Sequence, residues 1–293
     1  MNSVPNNPSV GVMDRRLFIK AALASLAPGA TAGAAYGLFE SGWLQITRHT
    51  VPLRNLPKEF EGTTVAFLTD IHHGPFTSLE YVHTIVRTAL SLEPDLILLG
   101  GDYSLKDGKY IGPCFEALAA LKAPLGVYGV LGNHDYWHGL AETRDGFAAA
   151  DVHELTNRHV WLERRGARLC LAGVDDKWMG QVDVRAALGD VRETDAVLLL
   201  SHNPDVAEKM KDTRVGLMLS GHTHGGQVVF PTGEAPFVPS HYGQKYLKGF
   251  VQAPTTQVYV SRGLGTTSAP FRVGSRPELT LITLAAEVRR DRA

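Results

Sequence analysis

Apolar residues along this chain follow two rhythms. Thr64–Thr69, Asp95–Leu99 and Val127–Leu131 are short, nearly continuous apolar runs, the pattern of strands buried on both faces. Between the first two, Leu79, Val82, Ile85, Val86, Ala89 and Leu90 recur at the 3.6-residue period of a helix with one buried face. Thr77 and Glu80 stand in capping-box spacing at its start, and Pro94 bars its continuation. A second helix is expected around Phe115–Leu121. Strand, helix, strand, helix, strand in this order predicts a parallel sheet covered by helices.

The second half reads differently. Trp161–Val174 has the partly alternating polarity of a hairpin that turns near Arg165-Gly166. Ala196–Leu200 and Leu217–Leu219 are buried strands again, and Val228–Phe230, Val258–Val260 and Leu279–Leu284 follow with little helix between them. Two β-sheets packed face to face, with helices outside, are therefore expected in one α/β domain over residues 62–286. Pro52 and Pro57 mark 41–61 as a linker, and 287–293 as a tail completes the division. The Gly/Pro-rich stretch Pro231–Gly249 reads as a surface loop long enough to serve as a lid.

The first forty residues stand apart. Met1–Met13 is polar and rich in Asn, Pro and Ser, a composition that forms no core. Asp14-Arg15-Arg16-Leu17-Phe18-Ile19-Lys20 then precedes an apolar stretch, Ala21–Phe39. Paired arginines before a weakly hydrophobic region resemble a twin-arginine export signal. Pro28, Gly29 and Gly33 disfavour a stable core helix. Ala32-Gly33-Ala34 offers a cleavage site. The stretch is also close to the roughly 20 residues that span a bilayer, so residues 1–40 are either a cleavable signal or an uncleaved membrane anchor. Export by the twin-arginine machinery, with the protein periplasmic or otherwise extracytoplasmic or anchored to the cytoplasmic membrane, is the expected location.

Composition narrows function less. An apolar content of 44% allows a sizeable core, and a formal net charge of -1 gives no field to attract nucleic acid or an acidic surface. Cys114 and Cys170 lack metal-site spacing and are expected as buried thiols, with a disulfide as the alternative in an exported protein. The 12 histidines change the picture, because five fall in short motifs that each end an apolar run. These are Asp70-x-His72, Gly100-Gly101-Asp102, Gly132-Asn133-His134-Asp135, Ser201-His202-Asn203 and Gly221-His222-Thr223-His224. Carboxylate, amide and imidazole groups at strand tips are the donor set of a two-metal hydrolytic site. Asp102, behind two glycines, can bridge two ions with one oxygen for each. Asn133 offers a neutral oxygen, and His202, His222 and His224 complete the set. Mixed N and O donors without thiolate suit Mn, Fe or Zn better than Mg alone.

Other residues are candidates by position. His73 adjoins the first motif and either faces the cleft or is a solvated loop histidine. Tyr136, Trp137 and His138 follow Asp135 as cleft wall or packing. Asp175, Asp176, Lys177 and Trp178 read as an exposed polar turn, with substrate contact as the alternative. Arg262 and Arg272 flank a Gly/Thr/Ser-rich loop where either could clamp a phosphate. His241, Tyr242 and Tyr246 lie in the lid, where a lipid or sugar could stack.

The motif series resembles that of the calcineurin-like metallophosphoesterase superfamily, over roughly residues 62–286 and with no motif missing. The resemblance implies a four-layer α-β-β-α sandwich of two mixed sheets with a dinuclear metal centre at strand ends. It implies that Asp70, His72 and His224 hold one ion, that Asn133, His202 and His222 hold the other, and that Asp102 bridges them. It places His134 beside the metals as general acid and Asp135 as the group that orients its ring. Two cations sharing a water lower its pKa, and the bridging hydroxide attacks phosphorus in line with the leaving oxygen. Manganese is the expected effective metal, with Fe or Zn as alternatives. Gly100-Gly101-Asp102-Tyr103, Ser201-His202-Asn203-Pro204 and Gly221–Gln227 are most similar to a bacterial branch of exported or membrane-associated phosphoesterases. That branch also contains enzymes similar to UDP-2,3-diacylglucosamine pyrophosphatases of lipid A synthesis. A phosphodiesterase or pyrophosphatase, possible lipid-linked substrates included, is the leading expectation. The lipid A pyrophosphatase is the specific alternative, and it needs a domain facing the cytoplasm. A protein phosphatase or a non-catalytic binding module follows behind, since all seven ligands are present.

Overall fold

The computed structural model describes residue 33 and residues 35–287. Most of the expected signal or anchor at 1–40, and residues 288–293 of the tail, lie outside the described residues. Among the described residues no helix is long and apolar enough to cross a membrane.

Among the described residues, twelve strands form two six-stranded sheets. The first has the order β1 (Gln45–Leu53), β12 (Glu278–Ala286), β2 (Thr64–Leu68), β3 (Leu96–Leu99), β4 (Val127–Gly129) and β5 (His153–Glu154). The second runs β10 (Gly249–Gln252), β11 (Gln257–Val260), β9 (Leu217–Ser220), β8 (Val197–Leu200), β7 (Ala167–Gly173) and β6 (Arg158–Arg164). Both are mixed: β2 to β5 are parallel and β12 is antiparallel to β2, while β7, β8, β9 and β11 are parallel and both edges are antiparallel.

The continuous apolar runs follow from three stacked apolar layers. Val65, Phe67, Leu96 and Leu98 meet Leu198, Leu200, Leu217 and Leu219 between the sheets. The alternate residues Ala66, Leu68, Ile97 and Leu99 pack beneath α1 (Leu79–Ser91), α2 (Ile111–Leu118) and α3 (Asn133–Ala149). Val197, Leu199 and Met218 pack outward beneath α4 (Val184–Leu188) and α5 (Val206–Lys209). Each central strand is thus apolar on both faces, and the order is helix, sheet, sheet, helix. Cys114 and Cys170 are free, buried thiols in different outer layers.

Several expectations need correction. The expected linker 41–61 contains β1, paired in parallel with β12 from Gln45–Glu278 to Leu53–Ala286. Its burial alternates, and Pro52 is tolerated because β1 is an edge strand. The helical cap at Leu79 is Ser78, one residue later than the capping-box spacing implies; its side chain accepts from the Tyr81 N–H. Val228–Phe230 is no strand: Val228 makes an isolated bridge to Val273. The helix expected near Phe115 starts earlier, at Ile111. Residues 35–41 form a helical turn docked on the domain, where buried Glu40 accepts from the backbone N–H groups of Gly274 and Ser275.

Candidate metal centre

Parallel strands carry their C-terminal ends to one side of a sheet, and loops there are where α/β proteins place ligand sites. Asp70 and His72 follow β2, Asp102 follows β3, and Asn133 follows β4 in the first sheet. His202 follows β8, and His222 and His224 follow β9 in the second. The sandwich brings these tips together. Asn133–Asp135 is not a free loop as its motif reads, but the first turn of α3.

Among the described residues two fully buried donor clusters result, Asp70 with His72 and His224 and Asp102 with His202 and His222, and His72, Asp102 and the half-buried His134 form a third group between them. In the first, His72 Nε2 lies 3.0 Å from His224 Nε2, and Asp70 Oδ1 lies 3.4 Å from His224 Nε2. In the second, His222 Nδ1 lies 3.1 Å from His202 Nε2. Asp102 Oδ2 joins them, 3.4 Å from His72 Nε2 and 3.2 Å from His202 Nε2. Its Oδ1 is occupied, accepting the His134 backbone N–H at 2.9 Å. A bridge with one Asp102 oxygen for each ion is the sequence expectation; here one oxygen faces both clusters.

The donors suit a pair of divalent cations. Asn133 Oδ1 is buried without a hydrogen-bond partner, which costs free energy unless something else uses its lone pair. His202 Nδ1 meets the Gly100 carbonyl at 2.8 Å. That contact requires a hydrogen on Nδ1, so once the ring gives up its second proton Nε2 is the lone pair turned toward the cluster.

The backbone is bent to reach this geometry. Asp70, His72, Asp102, His222 and His224 all have φ between 48° and 69°, a region that costs non-glycine residues and gathers at functional sites. Gly132 and Gly221 let the chain pass close by: a Cβ on either would collide with the Asp102 or the Asp70 carboxylate.

Electrostatics follow from burial and mutual contact. Burial pushes the Asp70 carboxyl up to about 6 and pulls His72 down to about 3. It also drives His222 and His224 well below the usual imidazole value. Burial works against the Asp102 carboxylate too, but the His202 ring beside it holds it well below the carboxylate range. Asp102 in turn holds His202 well above its ordinary value despite burial.

A cavity of about 390 Å³ opens over the cluster, lined by Asp102, Asn133, His134, Trp137, Trp178 and Phe237 among others. Several candidates stand elsewhere. Arg272 is fully buried behind His224, and its guanidinium donates to the carbonyls of Gly265, His224, Ser275, Arg262 and Gly263. Burial lowers it to about 10, so it is a buried cation that ties loops together and not a phosphate clamp. Arg262 pairs with Glu278 at 2.9 Å, away from the cavity lining. His73 is buried with Nδ1 at 2.9 Å from the Thr77 carbonyl, and it too is absent from the lining. In the lid, Phe237 and Pro239 line the cavity, and His241, Tyr242 and Tyr246 do not. Tyr246 is buried with its hydroxyl on Glu208.

Asp135 does not touch the His134 ring. Its oxygens accept the backbone N–H groups of Asp102, Gly132 and Tyr103 at 2.8–3.0 Å, which ties the Asp102 loop to the start of α3. The hydrogen-bond partner of the His134 ring is His138, one of two groups whose place at the site the sequence does not show. The other is the turn after β7. Asp175 and Asp176 are buried, not exposed, and Asp176 Oδ1 accepts from the N–H groups of Trp178 and Met179. The Trp178 ring then stands edge-on to His222, 4.3 Å between centroids. One signal was available: Asp175-Asp176 ends an apolar run as the five motifs do.

Comparison with known proteins agrees with this geometry. The family model described as calcineurin-like phosphoesterase matches residues 63–226. The chain is 34% identical to the uncharacterized metallophosphoesterase YkuE of Bacillus subtilis, over 93% of this chain and 98% of that protein. It is 30% identical to the phosphodiesterase YaeI of Escherichia coli, over 93% of this chain and all of YaeI. It is 32% identical to a bovine transmembrane protein with a metallophosphoesterase domain, over 95% of this chain and 66% of that one. A sandwich whose strand tips gather a buried Asp/His cluster, matched over most of its length by such relatives, belongs to the calcineurin-like phosphoesterase family and is a metal-dependent phosphoester hydrolase.

Proposed function

We propose that the chain is an exported phosphodiesterase that works with two divalent cations, manganese being effective, on a substrate with a bulky apolar or lipid-linked substituent. The observation that carries the reading is the pair of donor clusters meeting at Asp102 Oδ2 on the floor of a cavity with an aromatic rim. Asp70, His72 and His224 would hold one ion, Asn133, His202 and His222 the other, and Asp102 both. Such ions supply a nucleophilic water at neutral pH and offset charge on the phosphate oxygens.

The remaining chemistry belongs to side chains. His134 lines the cavity and would give a proton to the leaving oxygen as the P–O bond breaks. Burial holds it below the ordinary imidazole value; an anionic phosphate arriving beside it favours the charged, proton-donating form. Trp137, Trp178 and Phe237, at 48%, 42% and 71% exposure, offer an apolar rim to the ester substituent and keep bulk water off the reacting centre. YaeI, named a phosphodiesterase, supports diesters over monoesters. The narrower UDP-2,3-diacylglucosamine expectation rests on motif resemblance alone. Export rests on Arg15-Arg16 and the apolar stretch behind them.

The test uses purified chain, stripped of metal and reloaded with manganese. Hydrolysis of an aryl phosphodiester is compared with that of the matching monoester. Metal-dependent turnover favouring the diester is expected. A preference for the monoester would overturn the diesterase reading.

A further inference from the structure

His134 opens α3, and His138 lies one helical turn on, the spacing at which two side chains meet. His134 Nδ1 stands 3.1 Å from His138 Nε2. The same His138 nitrogen receives the backbone N–H of Lys106 at 3.0 Å. That N–H can only donate, so His138 Nε2 must present a lone pair and carry its hydrogen on Nδ1. A lone pair on His134 Nδ1 would face another lone pair; a hydrogen there makes a bond. The neutral His134 ring therefore holds its hydrogen on Nδ1 and leaves Nε2 bare.

The surroundings are built for this contact. Lys106 sits at φ 73°, a strained conformation for a side-chain-bearing residue, and that conformation accompanies an N–H delivered to His138. α3 breaks immediately after His138, at Gly139 with φ 150°, and Gly108 passes so close to the His138 carbonyl that a Cβ there would lie 2.8 Å from it. Asp135, the neighbouring carboxylate, is committed to three backbone N–H groups and leaves the His134 ring to His138.

We propose that His138 is the positioning residue of the proton donor: it accepts from His134 Nδ1 and so makes Nε2 the nitrogen through which His134 passes its proton to the leaving oxygen. The inference rests on the general-acid reading of His134 given above. In the charged form, His134 donates through Nδ1 to His138 and through Nε2 to the leaving oxygen. When the P–O bond breaks, its electron pair goes to that oxygen, which takes the Nε2 proton. His134 is left neutral with its hydrogen already on Nδ1, and water returns a proton to Nε2. No tautomer exchange is needed between turnovers. Without an acceptor at Nδ1, the neutral ring is free to place its hydrogen on either nitrogen, and the charged ring loses a stabilising contact.

Leaving-group dependence separates this role from a structural one. Two diesters with the same retained group are compared on the manganese-loaded protein, one with a p-nitrophenyl and one with an alkyl leaving group. The first leaves without a proton; the second requires one. His134→Ala should lose about 10²–10⁴-fold on the alkyl ester and far less on the nitrophenyl ester. His138→Ala should show the same pattern at about tenfold, with metal content unchanged. His138→Gln, whose amide oxygen can accept from both N–H groups, should recover most of the alkyl-ester rate. Equal losses on both esters in His138→Ala, or no loss on either, would overturn the positioning role, as would a Gln variant no better than Ala. If His134→Ala itself slows both esters equally, the general-acid reading fails first and the role of His138 falls with it.

Discussion

At the scale of residues, the proposed function separates groups that would reach the reaction from groups that hold others in place. His134 is in the first class: His134→Ala should keep its metals and lose about 10²–10⁴-fold in turnover, checked by metal content beside rate. Arg272 is in the second. An arginine beside a Gly/Ser/Thr loop is a candidate to clamp a phosphate, yet nothing in the motif says that five carbonyls surround this one. Arg272→Met should therefore destabilise the fold by at least about 3 kcal/mol, because buried acceptors lose their donor. Chemical denaturation reads this; a normal midpoint with a raised KM would restore the phosphate role. Asp70 contributes to the pH dependence, in the same direction as His202, which also has to give up a proton to a cation. Its carboxyl stands at about 6 in the metal-free site. Below that pH a proton holds the group a cation needs, and above it the group is free. Manganese affinity should fall about tenfold between pH 7 and pH 5 from this residue alone, measured by titration calorimetry. A flat affinity across that range would contradict it. The residues that gather in the Asp/His cluster were legible because each pairs a donor with the end of an apolar run. The contacts of Asp135 and His138 were not, since hydrogen-bond partners depend on chain crossings that spacing does not encode.

At the scale of elements, the central strands declared themselves. β2, β3, β8 and β9 are apolar on both faces because each separates two packed layers, and that leaves a continuous run in the sequence. β1 was hidden. It is polar on its open side and carries Pro52, the usual sign of a break, but an edge strand has no second neighbour to need that missing N–H. Leu53 is fully buried between the sheets, so Leu53→Ala should cost about 2–5 kcal/mol in a denaturation experiment. A loss below about 0.5 kcal/mol, the range of surface substitutions, would return residues 41–61 to linker status. The short turn after β7 differs for the opposite reason: its charges suggest solvent, and the Tyr136 hydroxyl of α3 on Asp175 and the backbone N–H groups on Asp176 cannot be seen from composition.

At the scale of the whole molecule, two mixed sheets face each other and the ends of their parallel strands bring donors from both to one line, Asp70, His72, Asp102 and Asn133 from one side and His202, His222 and His224 from the other. No single sheet supplies either cluster. Each takes an imidazole from the second sheet and a carboxylate from the first, so the interface between the sheets and the metal centre stand or fall together. Metal removal should accordingly lower thermal stability as well as abolish turnover. The most direct measurement is the number of manganese ions bound per chain at neutral pH, by equilibrium dialysis against the metal-stripped protein. Two tightly held ions are expected, with both sites weakened in Asp102→Ala. A single ion that survives Asp102→Ala unchanged would contradict a centre built on that shared oxygen.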